Sequence, residues 1–259
     1  MKYKTIYKRL LALAVPIMLS NLISQLQMLI DRIFLGHAND LYMSALSNAT
    51  TPMWTTMSFC FSLAAGASIL ISQSVGAGDR EHIEEYAGAL IKYNNIVPVC
   101  LCFFWLFFSE PVFRFMGVSD TLMPMCLSYS RFYAPVFLLT GLGGSLSVIL
   151  QTSNYTKPMV AYGAIRAGLN VVLDYLLIYG KLGLPALGIK GAAIGTVIAE
   201  YIGAAFIAYI FFSSKKLSTR PSLRGVKEAR LSAYLTAAKL GVNTALEDFA
   251  WNIGNLCLI

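Results

Sequence analysis

Apolar stretches near or above the roughly 18 residues needed to cross a bilayer recur along the whole chain, separated by short polar loops. A soluble core has no use for so many. Of the residues, 57% are hydrophobic and 13% charged, against about 25% charged in a typical soluble domain. The chain therefore reads as an all-α, polytopic membrane protein.

The pattern predicts span 1 at 10–36, span 2 at 44–75, span 3 at 83–108, span 4 at 121–150, span 5 at 158–180 and span 6 at 188–212. Residues 213–230 form a basic linker, and a seventh apolar segment runs over 231–259. The expected organisation is a six-helix lobe over 1–212, the linker, and the first, incomplete helix of a second lobe. The basic start at Lys2, Lys4, Lys8 and Arg9 resembles a secretory signal, but the apolar run from Leu10 to about Ile30 is too long for a cleaved core. Pro16, Pro52, Pro98 and Pro135 fall inside spans, where neighbouring helices are expected to satisfy the freed carbonyls.

The net charge of +7 segregates by loop. With a cytoplasmic N-terminus, that side holds Lys2, Lys4, Lys8, Arg9, Arg80, Lys157, Lys215, Lys216, Arg220, Arg224, Lys227 and Arg230, and the other holds Arg114, Lys181 and Lys190. This bias orients the chain in the plasma membrane. Nucleic acid is not an expected partner; membrane lipid is. Cys60, Cys100, Cys102, Cys126 and Cys257 lie in apolar segments without metal-site spacing and read as packing residues. Sequence spacing offers no nucleophile–base set, phosphate loop or cofactor motif, which argues against an enzyme.

Ionisable groups inside a span cost about 3 kcal/mol on insertion scales and are functional candidates. Counted from the outer ends of their spans, Asp31 lies at a depth of about 8 Å, Asp174 at about 9 Å and Thr196 at about 12 Å. Asn170 is one turn deeper on the face of Asp174. Two carboxylates, an amide and a hydroxyl from three helices thus share one layer, suited to Na⁺ or to a shared proton. The bland alternative pairs Asp31 with Arg32 and leaves Asn170 bonding a backbone carbonyl. Tyr129 lies near the layer, with its hydroxyl in reach of Asp174. Arg131 at about 15 Å, Glu200 at about 18 Å and Arg166 at about 21 Å suggest a structural ion pair to Glu200 from either arginine. Ser20, Asn21, Ser24, Gln25 and Gln27 give span 1 a polar stripe facing an aqueous or substrate cavity. In the seventh segment, Glu247 and Asp248 are equally open to a helix entrance or a lining role.

An offset from Leu13 to Leu240 also aligns Val15 with Val242, Leu19 with Leu246, Gln25 with Asn252 and Leu29 with Leu256, a weak repeat consistent with two lobes. At that period a two-lobe parent has roughly 450 residues.

The runs Ala14-Val15-Pro16-Ile17-Met18-Leu19-Ser20-Asn21 and Ile30-Asp31-Arg32-Ile33-Phe34-Leu35-Gly36 resemble the first helix of multidrug and toxic compound extrusion (MATE) transporters. Ile71-Ser72-Gln73-Ser74-Val75-Gly76-Ala77-Gly78-Asp79 resembles the turn after their second helix, while Asn170 to Gly180 and Leu187 to Thr196 resemble helices 5 and 6. The resemblance implies a cation-binding cluster of Asp31, Asn170, Asp174 and Thr196, completed by Tyr129, exchanging Na⁺ or H⁺ for amphiphilic or cationic drugs by alternating access between two lobes. No further cofactor is implied. Asn243 stands where the family has a proline, and the rest of the second lobe is missing as a partner. Competing readings are a lipid-linked precursor flippase, for which only Arg131 and Arg166 offer cavity cations, and a non-transporting membrane protein.

Overall fold

A computed structural model describes residues 2–242 and 246. Asn243, Glu247, Asp248, Asn252, Leu256 and Cys257 lie outside the described residues. All regular structure among those described is helical. The first two helices are long rods: α1 spans Lys2–Ala38 and α2 spans Asp40–Ala77. Asn39 separates them, its side-chain oxygen accepting from Leu41 N–H at 2.9 Å, which satisfies one of the orphan donors at the start of α2. With 38 residues, α2 is about 57 Å long and extends beyond ~30 Å of hydrocarbon.

Spans 3 and 4 are each broken. The third divides at Asn94 and Asn95 into α3 (Arg80–Tyr93) and α4 (Ile96–Phe107). A short α5 (Ser109–Phe115) then leads to α6 (Met123–Tyr133), a 3₁₀ turn over Ala134–Val136 and α7 (Phe137–Thr152). Pro135 sits in that turn, where its missing N–H interrupts the helical ladder, and Tyr201 OH donates to its carbonyl at 3.3 Å. The remaining rods are α8 (Lys157–Tyr179) and α9 (Ile189–Ser213). Among the described residues, five stretches meet the length and hydropathy of a membrane span: Asp40–Ala77, Arg80–Phe107, Met123–Thr152, Lys157–Tyr179 and Ile189–Ser213. The sixth expected span lies within α1, which has the length to cross and no charged side chain between Leu10 and Gln27.

Helix α8 packs on both α1 and α9, α2 packs on α3 and α7, and α6 joins α9 to α2. Among the described residues two large apolar cores result, one toward each end of the bundle, and a small third cluster joins Ala89 to Ala229, Ala233 and Tyr234. Leu35, Met53, Trp105, Phe113, Phe137 and Ile178 belong to the first, and Ile71, Leu90, Ile149, Leu150, Ile207 and Phe211 to the second. Cys60, Cys102 and Cys126 are buried, as packing residues should be, whereas Cys100 is exposed on α4.

The basic segment 213–230 is folded against the bundle. Its helix α10 (Leu223–Glu228) lies on α3, with Gly88 and Gly225 so close that a Cβ on Gly88 would stand 2.6 Å from the Gly225 carbonyl oxygen. Thr219, fully buried, bonds Thr152 Oγ1 at 2.9 Å, Ser153 Oγ at 2.7 Å and the Ile149 carbonyl at 3.0 Å. Lys92 donates to the carbonyls of Lys227 and Ala229. Several of the linker's neighbours are thus polar groups that an unfolded hinge would leave to water.

Residues 231–242 are helical and return to the lobe. Tyr234 OH donates to Asn94 Oδ1 at 3.2 Å, and Asn94 Nδ2 donates to the Gly141 carbonyl at 3.0 Å, tying the break in span 3 to α7 and to the seventh helix. Next to this junction Gly66 of α2 meets the seventh helix: a Cβ there would lie 2.0 Å from the Ala237 carbonyl oxygen and 2.6 Å from Gly241 N. Small residues permit such backbone approach between membrane helices. Gly66→Val is therefore expected to destabilise the protein by about 1–3 kcal/mol, read as a lowered thermal midpoint. An unchanged midpoint would show that the approach is not required.

Candidate functional site

Helices α1, α8 and α9 bring their polar residues to one locus. Asn170, fully buried, donates from Nδ2 to Asp174 Oδ1 at 3.3 Å and to Thr196 Oγ1 at 3.2 Å. The i, i+4 spacing puts Asn170 and Asp174 on one face of α8. Thr196 donates in turn to the Ala192 carbonyl at 2.9 Å. From α1, Asp31 is in interaction range of both Asp174 and Gln27, and Gln27 Nε2 donates to Asn170 Oδ1 at 2.8 Å. A Cβ on Gly195 would stand 2.4 Å from Asp174 Oδ1. Glycine at 195 therefore lets α9 close on the carboxylate.

Arg32 is exposed and forms no ion pair with Asp31; the Asp31 carboxylate turns toward Asp174 instead. Tyr129 is buried and stacks on Tyr133 with ring centroids 5.5 Å apart. Its hydroxyl makes no hydrogen bond to Asp174, so the contact expected from depth alone is absent in this arrangement. Asn170 bonds side chains of the cluster, not the backbone carbonyl of the bland reading.

Beside the cluster lies a cavity of about 1140 Å³ bounded by α1, α2, α6, α7, α8 and α9. Ser20, Asn21, Ser24, Gln25 and Gln27, the polar stripe of α1, all line it, with Met28, Trp54, Phe61 and Ile69 among the apolar part of its wall. Asp31, Thr196 and Tyr129 reach the same wall, whereas Asn170 and Asp174 are sealed behind it. Asp31 thus belongs to both compartments. Gln27 does too: the stripe pattern places it among cavity residues, and the fold also makes it part of the carboxylate cluster. The i, i+4 spacing from Gln27 to Asp31 was the available signal, but a helical stripe alone does not say which of its members turns toward α8.

Of the two arginines at the depth of Glu200, Arg166 makes the pair and Arg131 is exposed on α6. Arg166 Nη1 donates to Glu200 Oε1, its Nη2 donates to Ser24 Oγ at 2.7 Å, and Tyr162 OH donates to Glu200 Oε2 at 3.3 Å. This network joins α8, α9 and α1 across the cavity wall.

The described residues thus form an all-helical membrane bundle with a carboxylate pair beside an internal cavity. The chain belongs to the MatE family, whose model matches residues 16–176. It is 27% identical over 263 aligned positions to a probable multidrug resistance protein NorM of Thermotoga maritima, covering 97% of this chain and 53% of that protein. The multidrug resistance protein NorM of Vibrio vulnificus is 26% identical, with coverages of 96% and 54%. The fold is shared with a MOP superfamily transporter from Pyrococcus furiosus at a TM-score of 0.83 and 21% identity, over 96% of this chain and 54% of that one. The chain spans about half the length of the curated relatives it matches.

Proposed function

We propose that this chain is the first lobe of a cation-coupled antiporter that exports amphiphilic or cationic small molecules by alternating access, with Na⁺ or H⁺ as the coupling ion. The N-terminus and the basic linker are placed in the cytoplasm of a plasma-membrane protein, on the strength of the asymmetric Lys and Arg distribution. The observation that carries the reading is the meeting of Asp31 and Asp174 on separate helices, at the wall of a cavity large enough for a drug-sized molecule. Asp31, Asn170, Asp174 and Thr196 bind the cation, with Tyr129 alongside. Ser20, Asn21, Ser24, Gln25 and Gln27 contact substrate. Because Asp31 faces both compartments, an ion drawn into the cluster changes the charge presented to the cavity, and occupancy of one site is linked to occupancy of the other. The names of the NorM relatives, multidrug resistance proteins, agree with the substrate class.

A flippase for lipid-linked precursors needs cationic groups free to meet its phosphates. Arg166 is committed to Glu200 and Arg131 lies away from the cavity lining, which leaves that reading Arg32, at the cavity wall, as its arginine. The test of antiport is substrate export in proteoliposomes holding the full-length protein. An imposed inward Na⁺ or proton gradient is expected to drive it and its collapse to stop it; export that ignores both gradients would refute the coupling.

A further inference from the structure

The cations at the linker end of the bundle divide into two kinds. Arg80 donates to the carbonyls of Ser218 and Arg220, Lys92 to those of Lys227 and Ala229, and Arg220 to those of Phe211, Phe212 and Ser214. Arg224 pairs with Glu228. Lys157, Lys215 and Lys216 differ: all three are exposed, and among the described residues no carboxylate pairs with them. They meet at one corner. The Lys216 ammonium lies 5.5 Å from the centroid of the Tyr155 ring, just before Lys157, and Thr219 N–H donates to Ser153 Oγ at 3.1 Å, which holds the α7–α8 loop against the linker.

An apolar stripe leads to this corner. Helix α9 lines the cavity with Ala192, Thr196, Glu200 and Ala204, and at about 3.6 residues per turn Ile198, Ile202, Tyr209 and Phe212 point roughly 180° from that face. All four are exposed, Tyr209 at 68% and Phe212 at 73%. With α9 centred in about 30 Å of hydrocarbon, Tyr209 lies about 12 Å and Phe212 about 17 Å from the midplane. That is the boundary level at which membrane proteins carry aromatic belts. Lys215 and Lys216 follow directly, at headgroup height.

Three exposed ammonium groups with no acid among them concentrate positive charge at this corner, which an anion relieves. Free phosphate answers the charge alone. The stripe beside the lysines adds a surface for acyl chains, which a soluble anion does not use.

We propose that this corner binds an anionic phospholipid, its phosphate held by Lys157, Lys215 and Lys216 and its acyl chains lying along Phe212, Tyr209, Ile202 and Ile198. The lipid bridges the α7–α8 loop and the start of the linker, and so stabilises the attachment of the linker to the lobe. The site is separate from the carboxylate cluster and stands whether or not that cluster binds the coupling ion.

The test uses the purified full-length protein in neutral detergent. Phosphatidylglycerol is expected to raise the thermal midpoint by about 5 °C, while phosphatidylcholine, glycerol 3-phosphate and inorganic phosphate leave it within about a degree. Replacing Lys157, Lys215 and Lys216 together by Gln is expected to weaken phosphatidylglycerol binding, followed by native mass spectrometry, about tenfold or more, since each lysine at an anionic headgroup contributes roughly fivefold. The midpoint gain should vanish with it, and the lipid-free midpoint should not move. Replacing Arg224, Lys227 and Arg230 by Gln removes equal charge elsewhere on the linker and should leave binding and gain intact. Equal losses in the two triple variants would overturn the site in favour of general attraction to a basic surface. An equal gain from glycerol 3-phosphate would overturn the lipid as occupant. A wild type that does not distinguish phosphatidylglycerol from phosphatidylcholine would overturn the proposal without recourse to any variant.

Discussion

Asp174→Asn in the full-length protein is expected to reduce gradient-driven efflux on the order of tenfold to a hundredfold, with the thermal midpoint changed by no more than a few degrees. The carboxamide has nearly the same shape, so the space left by Gly195 and the approach to Asn170 are preserved. What is lost is the charge. Asp174 is fully buried and faces the second carboxylate on α1, so a cation held between them is held mainly by electrostatics in a low-dielectric setting. The control is Glu110→Gln, whose ion pair with Arg114 lies at the surface and contributes little; efflux should be unchanged. Full efflux in Asp174→Asn would remove the carboxylate pair from the mechanism.

The second large effect concerns stability. Arg166→Met is expected to destabilise the protein by about 3–5 kcal/mol, because Glu200 is left as an unpaired charge in the wall between α8 and α9. The side chains of the pair are only 19% and 16% exposed, so water offers Glu200 limited relief. Arg166→Met combined with Glu200→Leu should recover most of the loss, since a buried ion pair replaced by apolar groups of similar volume is often neutral or stabilising. Thermal unfolding of the two singles and the double, run as a cycle, gives the coupling energy. A single variant as stable as the wild type would mean that Glu200 finds another partner or takes up a proton.

The sequence carried the architecture a long way. Repeated apolar runs of spanning length predicted the rods of α1, α2, α8 and α9 to within a few residues at most of their ends, because helical hydrogen bonding within a segment is the main way for an apolar run to satisfy its backbone in lipid. The breaks in spans 3 and 4 were less legible. Pro135 marks the second and Lys92, Asn94 and Asn95 interrupt the apolar run of the first, but the role of Asn94 is explained by partners on α7 and the seventh helix that are distant in the chain. The linker told a similar story: its basic composition reads as an open polar loop, while Thr219 and Lys92 fasten it to α7 and α3.

For the site, counting residues from span ends was enough to put Asp31, Asn170, Asp174 and Thr196 at one level, because rise per residue is fixed in a helix. Depth has no azimuth, however. Which way each side chain points around its helix axis depends on how the rods pack. Packing turned Asp31 toward Asp174 and away from Arg32, chose Arg166 over Arg131 as the partner of Glu200, and brought Gln27 from the cavity stripe into the carboxylate cluster. The chain by itself therefore determined the membrane class, the spans and the layer of polar groups, all of which follow from local periodicity and composition. The tertiary structure alone decided which of those groups touch, since contacts between helices are set by interdigitating surfaces and small residues such as Gly195 that a linear pattern does not pair.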